Sequence, residues 1–565
     1  MRQSKDNPLP STSESGRTLR LKGVNLMKRL LTLLSSCALL CACCDTACKS
    51  ADTELDYAEI NAEAARRYLD PIRPGYEGRN PYWNRFARKF IYAPAFDFEP
   101  VEGAATYRFT VTPLEAGVPG TWSFTAGTPK VALSPIWNEI PVGQVRLVVE
   151  ALDSAGAAIG KAGEREFRRD YPFAGPYTPA VRDYRQAARM ALLYIHRMPE
   201  IQHWAEHTEP DMSYRHNTYP CKIIGATIRA EVLLAQLLPA HKEQATRIAR
   251  NAAQFLIDRS RKADEPLAFF PPTYYKDLIA SKNAENQNKT MTMEAASAGH
   301  AFLDLYDLTG DKTYYDRAIG IADTYVRLQR ADGSYPIKVD FATAEPVNAA
   351  CAMLHPVLRY FQRLKADYGV GIYADAQARG ERWMRDVALR SFDMTGQFED
   401  VTVMGLQPYE NLTNCTAAPY AAYLLSKGSH TDEELADAID LARFSEDQFT
   451  FWDTPVTADG IKEKATPCVY EQYKYQKPVD ASACNVTGAL LSLYEATGDA
   501  VYLAKGKALV DNITVVQNVV NGQIPTTWDF RGTKSDRNRT FWINCSYGSA
   551  VTLLQLADLL DSHTR

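Results

Sequence analysis

Two segments far apart in the chain carry the same pattern. Leu305-Tyr306-Asp307-Leu308-Thr309-Gly310-Asp311 recurs as Leu493-Tyr494-Glu495-Ala496-Thr497-Gly498-Asp499. Downstream, Gln329, Gly333, Pro336 and Phe341 are matched, after a one-residue shift, by Gln517, Gly522, Pro525 and Phe530. Each copy reads as a helix, a Thr-Gly-Asp turn, a second helix and a Gly/Pro loop. Gly ends the first helix in the left-handed conformation and Asp caps the second. A unit repeated in this way belongs to an array of supersecondary units. Around the two copies, apolar residues keep a helical period over twelve stretches: about 182–198, 221–238, 241–262, 291–309, 312–330, 346–366, 373–390, 412–427, 431–449, 481–497, 500–519 and 542–561.

Twelve helices make six hairpins if the last pairs with the first. Loops within hairpins are short, as at Thr309–Lys312 and Lys427–Thr431, and alternate with long loops between hairpins. In a ring built this way, all the long loops emerge on one face and gather around one mouth. The LYxxTGDxxY hairpins, the helix count and the β-rich segment before them resemble the (α/α)6 toroid proteins, or six-hairpin glycosidase-like superfamily. The resemblance covers about residues 180–565. It implies a mainly α fold, an (α/α)6 toroid of six helical hairpins preceded by a small all-β sandwich domain. Glycoside hydrolases, polysaccharide lyases and sugar epimerases share that scaffold, so it implies a carbohydrate substrate and leaves the reaction open.

Residues 92–172 have a different period. Tyr107–Thr112, Trp122–Phe124 and Val145–Glu150 alternate every second residue, with Gly/Pro turns between them, which predicts a β-sandwich of fibronectin type III or immunoglobulin style. Residues 45–91 read as a polar linker. Further upstream, Met27-Lys28-Arg29 precedes an apolar run from Leu30 to Leu40, followed by Cys41, Cys43 and Cys44. A basic start and an apolar stretch too short to span a bilayer make a secretory signal over 27–44. Leu40-Cys41-Ala42-Cys43 resembles a bacterial lipobox, with Cys43 as the lipidation candidate; Leu34-Ser35-Ser36-Cys37 is a second candidate with only a short apolar region before it. Residues 1–26 have no periodicity and read as a leader. The expectation is an exported lipoprotein, in the periplasm or on the outer-membrane surface, touching the membrane only through its lipid. A net charge of −5 gives no electrostatic reason for nucleic acid as a partner.

The long loops hold the candidates for chemistry. Aromatic faces stack on sugar rings while carboxylates, amides and Arg hydrogen-bond to hydroxyl groups, which puts forward Trp204, His216, Tyr219, Tyr274, Tyr275, Lys338, Tyr473, Trp528, Arg537, Arg539 and Trp542 as substrate-binding. Glycoside hydrolysis needs two carboxyl groups, one acid and one base or nucleophile. Glu471, Glu399, Asp400, Glu410 and Asp480 form the shortlist, led by Glu471 because tyrosines on both sides would desolvate it and raise its pKa. A lyase would instead take a proton beside a uronate, with Tyr473, Tyr219 or His216 as base and Arg537, Arg539 or Asn414 on the carboxylate. A glycan-binding lipoprotein without catalysis is the third reading. Cys468 lies three residues before Glu471, yet the adjacent-cysteine element of zinc-dependent toroid arabinofuranosidases is missing, so no metal is expected. With no phosphate-binding loop, dinucleotide fingerprint or HExxH, no cofactor is expected either. The six cysteines beyond the leader, Cys221, Cys351, Cys415, Cys468, Cys484 and Cys545, read as mostly buried thiols, with room for one or two disulfides.

Overall fold

The computed structural model describes residues 55–72, 83–276, 286–398, 407–453, 466–528 and 541–563. An N-terminal helix α1 (Tyr57–Arg67) and five strands come first: β1 (Lys89–Phe90), β2 (Thr106–Pro113), β3 (Trp122–Ala126), β4 (Gly143–Leu152) and β5 (Ala158–Arg169). The ring follows as α2 (Tyr184–His196), α3 (Gly225–Leu237), α4 (Lys242–Arg259), α5 (Ala295–Thr309), α6 (Lys312–Leu328), α7 (His355–Tyr368), α8 (Ala374–Trp383), α9 (Asn414–Leu425), α10 (Asp432–Phe449), α11 (Asp480–Thr497), α12 (Ala500–Val516) and α13 (Ile543–His563). Each of the twelve expected stretches holds one of α2–α13. The stretch expected at 346–366 starts late, because Pro346 pairs across to Val339 in extended backbone and Pro356 opens the helix itself.

The odd-numbered helices α3 to α13 pack in succession, and α13 closes back onto α3. Each inner helix pairs with an outer one, α13 with α2. The protein is therefore a closed (α/α)6 toroid. Every long connection enters the N-terminus of an inner helix, so all of them lie at one end of the ring.

The repeated segments are superposable in their chemistry. The Gly310 and Gly498 amides donate to the Tyr306 and Tyr494 carbonyls at 2.7 Å, and the Asp311 and Asp499 carboxylates accept the Thr313 and Val501 amides at 3.0 Å. Beyond each outer helix, a glutamine ties the following loop to the next hairpin. Gln329 Nε2 donates to the carbonyls of Gly333 and of Ala376 on α8; Gln517 Nε2 donates to those of Gly522 and of Ala187 on α2. Gly333 and Gly522 have φ of +93° and +82°, and a Cβ there would sit 2.3 Å from the Arg379 carbonyl oxygen and 2.5 Å from that of Met190. Only glycine allows this approach. The second copy thus docks on the first helix of the ring, and the repeat is also the seam.

The β region makes one five-stranded sheet, in the order β1-β5-β4-β2-β3, with β1 parallel to β5 and the rest antiparallel. A two-sheet sandwich is not formed among the described residues. The inward face of β2 and β4, with Phe109, Val111, Leu147 and Val149, packs into the same apolar core as Trp137, Phe167 and the ring. The expected linker at 45–91 is also corrected. Asp56 caps α1 by accepting the Ala58 and Glu59 amides, and Ile60, Ala64 and Tyr68 are buried. A short amphipathic helix among polar residues looks like a linker until its apolar stripe finds a surface.

Buried polar groups fasten this N-terminal region to the ring. The Glu446 carboxylate accepts from Tyr68 Oη (2.8 Å), Tyr92 Oη (2.8 Å), Trp452 Nε1 (3.0 Å) and Lys505 Nζ (2.8 Å). Beside it, Asp447 accepts the Ile91 and Tyr92 amides at 2.6 and 2.8 Å, and burial pushes its carboxyl up to about 6.

Candidate functional site

A cavity of about 1430 Å³ opens at the loop end of the ring and runs down its axis. Its rim is built by the first turns of the inner helices and the strands that precede them. Lys222 stands on one wide turn, Pro220–Ile224, closed by the Gly225 amide donating back to the Pro220 carbonyl. Wide turns of this kind often mark functional positions. Glu294 immediately precedes α5, His355 begins α7, Asn411 and Cys415 flank the start of α9, and Trp542 immediately precedes α13; all line the cavity.

Glu471 reaches the cavity from β7 (Cys468–Gln472), which pairs with β6 (Thr450–Phe451) and β8 (Tyr475–Pro478). Its backbone is held firmly. Thr413 Oγ1 donates to the Glu471 carbonyl at 2.6 Å, Asn414 Nδ2 donates to the carbonyls of Tyr470 and Glu471, and Gln472 Nε2 donates to the Glu471 carboxylate at 3.2 Å. Asn411 Nδ2 in turn donates to Gln472 Oε1 at 2.6 Å. A carboxylate on a strand pinned by three side chains is oriented before any ligand arrives.

The flanking tyrosines do not desolvate Glu471 in the way the sequence suggests. Neighbouring strand residues face opposite sides, and Tyr470 stacks on Phe451 at 4.2 Å. Tyr473 lies against Phe449 and donates to Gln448, where burial raises its phenol well above the ordinary value. Neither its position nor its titration suits a base in the cavity. Glu471 is instead flanked by Cys415 and Cys545 and by the Lys222 ammonium, whose charges act on the same thiols. Burial pushes the Cys415 and Cys484 thiols up to about 12, so both are protonated near neutrality. None of the six cysteines beyond the leader is paired, and no group of three metal-ligating side chains forms among the described residues.

The other candidates fall into three groups. Trp542 lines the cavity, with Lys222 Nζ 5.5 Å above its ring. His216 and Tyr219 back that indole at 4.0 and 5.8 Å, so they orient an aromatic wall. Glu410 sits at the rim, where the Lys474 ammonium and the Gln407 amide hold its carboxyl below the usual range. Asp480 is fully buried behind the wall: Ala481 N and Ser549 Oγ donate to it, and burial raises its carboxyl well above the ordinary value. It braces the start of α11, while its neighbour Ala481 lines the cavity. Trp204 and Trp528 are buried in the core, Trp204 against Phe255. Tyr274, Tyr275 and Lys338 brace loops: Lys338 Nζ lies over Tyr274 and donates to Asn286, and Tyr275 Oη donates to Glu209. Glu399, Asp400, Arg537, Arg539 and Cys43 lie outside the described residues.

Glu294, Lys222 and His355 are cavity residues that the sequence reading passed over. Each stands at the start of an inner helix; that positional rule applied to the stretches expected at 221–238 and 291–309 would have found Lys222 and Glu294, but not His355, which lies inside the stretch expected at 346–366. The Cys221 thiol feels the Glu294 charge, which places that carboxylate on the wall next to Lys222. Burial and the nearby Arg359 charge push the His355 imidazole down to about 3, so it is neutral near pH 7.

No protein-family model matches the sequence, and no curated protein does. Among solved structures, the chain is similar to a family 76 glycoside hydrolase from a bovine Bacteroides thetaiotaomicron strain, with 11% identity, 84% of this chain and 99% of that one covered, and a TM-score of 0.43. It is similar to cellobiose 2-epimerase from Spirochaeta thermophila, with 13% identity, 67% and 98% covered, and a TM-score of 0.44. It is similar to an unsaturated glucuronyl hydrolase specific for heparin, with 10% identity, 66% and 97% covered, and a TM-score of 0.42.

Proposed function

We propose that the protein is a carbohydrate-active enzyme, a glycoside hydrolase acting on a polysaccharide or its oligosaccharides. The observation that carries this is the pair of carboxylates at the loop end of one cavity, Glu471 and Glu294, together with the indole of Trp542; the third lining carboxylate, Glu495, lies near the far end of α11. Two carboxyl groups around one space are what acid/base cleavage of an acetal needs, and an indole wall suits the apolar face of a sugar ring. Glu471 is the better fixed of the two. That fixed placement suits a base or nucleophile and leaves Glu294 as the acid. The volume accommodates several sugar rings rather than one small metabolite.

The test is a screen of the leader-free protein against plant, algal and host polysaccharides, following new reducing ends and the absorbance of unsaturated uronates together. Reducing ends without absorbance, lost about 10²–10⁴-fold in Glu471→Gln and in Glu294→Gln, are expected. Turnover intact in both variants would refute the assignment.

One observation favours β-elimination beside a uronate as a second reading. The Arg359 guanidinium lines the same cavity beside His355, which supplies a group to neutralise a carboxylate. Absorbance rising with the reducing ends would select it. We also infer export as a lipoprotein from the leader; mass spectrometry of the mature N-terminus should find an acylated cysteine, and a free amine there would dismiss this.

A further inference from the structure

One helical turn below the rim, the cavity wall changes from carboxylates to cations. Arg229 lies four residues into α3 and Arg359 four residues into α7, which puts both about 6 Å below the helix starts. Both line the cavity, and the Arg229 charge acts on Arg359.

Their partners differ. Arg229 Nε bonds to Asp304 Oδ2 at 2.7 Å, and its guanidinium lies 5.1 Å over the Tyr547 ring. Asp304 is shared with Arg363, at 2.6 Å, and Arg363 is further matched by Asp307 and Asp367. Arg359 has no carboxylate partner among the described residues, and its side chain is exposed to the lumen of the ring. Beside it, His355 Nδ1 is buried with no hydrogen-bond partner.

We propose that Arg359 and Arg229, one turn below the rim, and His355, at the rim above Arg359, form an anion-binding subsite beside the two carboxylates, taking the carboxylate or sulfate of an acidic sugar, so that the substrate is an acidic glycan. The proposal rests on reading the cavity as a glycan site. A guanidinium that faces an enclosed lumen without a carboxylate partner among the described residues is open to an incoming anion. Its planar fork matches a carboxylate or sulfate with two parallel hydrogen bonds. Arg229, held by Asp304 through Nε, keeps its terminal nitrogens for the same anion, and a neutral His355 can add one N–H donor.

The test measures binding by calorimetry with three probes: a glucuronate-containing tetrasaccharide, its carboxyl-reduced neutral counterpart and a sulfated neutral tetrasaccharide. The intact protein should bind an anionic probe at least about 10-fold more tightly than the neutral one. Arg359→Met should erase that ratio, and Arg359→Lys should retain part of it. Equal binding of charged and neutral probes by the intact protein would overturn the proposal without any variant. A ratio unchanged in a folded Arg359→Met, or no binding of either anionic probe, would also overturn it. Outcomes for the two readings separate: turnover of neutral glycans with kcat/KM unchanged in Arg359→Met keeps the hydrolase and removes the subsite, whereas Arg359-dependent binding without turnover keeps the subsite and removes the hydrolase.

Discussion

Replacing Lys505 by Met tests whether the buried network around Glu446 holds the N-terminal region to the ring. Lys505 and Glu446 are 2% and 3% exposed at their side chains and 2.8 Å apart. Burial acts to raise the Glu446 carboxyl, but the Lys505 charge and the bonds from Lys505, Tyr92 and Tyr68 outweigh it, and the group is held below its ordinary value. Methionine keeps the stem of the side chain and removes the charge. The carboxylate is then buried with three neutral donors, a situation that costs about 3–5 kcal/mol. The sign of the pH dependence follows. In the intact protein the Glu446 contribution is present above the ordinary carboxylate range and is lost as pH falls through the lowered value. In the variant, burial dominates and the folded value rises, so stability is greatest in acid and falls as pH rises through it. Urea unfolding followed by tryptophan fluorescence between pH 5 and 8 reads both effects, because Trp452 donates to the same carboxylate. The deficit should be largest at pH 8 and shrink toward pH 5. Adding Glu446→Gln to Lys505→Met should recover part of the loss. A deficit below about 1 kcal/mol at pH 8, or a double variant less stable than the single, would refute the reasoning.

Gly522→Ala should destabilise the ring at its seam by roughly 3 kcal/mol, from a left-handed backbone plus overpacking on the Met190 carbonyl; Gly498→Ala, with a left-handed φ but open space around it, should cost only about 1 kcal/mol. Equal melting temperatures for the two would remove the close-approach argument. Asp480→Asn should keep turnover within a few-fold of the intact protein, since the carboxyl is buried behind the cavity wall and burial favours its neutral form, in contrast to Glu471→Gln. A loss in Asp480→Asn as large as in Glu471→Gln would move Asp480 into the chemistry.

The helices, their pairing and the turn chemistry were legible in the sequence because they are local. Thr309-Gly310-Asp311 and Thr497-Gly498-Asp499 specify their own geometry through bonds a few residues apart, and the apolar period needs only the residues of one helix. Closure was partly legible as well, since Gln517 and Gly522 match Gln329 and Gly333, whose role is to dock the next hairpin.

The membership of the site is a different matter, because it depends on which helix starts face one another across the ring. Glu294 and Lys222 look like ordinary first-turn residues until α3 and α5 become neighbours around a lumen. Trp204, Trp528 and Tyr473 read as sugar platforms because a long loop uses the same aromatic residues to bind and to brace. Burial alone separates the two, and burial is a property of the packed ring. Arg359 is the clearest case: its sequence neighbours give no sign that it lacks a carboxylate partner among the described residues, since its possible partners come from other helices. Composition, period and turns therefore determined the toroid, while tertiary packing decided which charges meet, which are matched, and which are left facing the cavity.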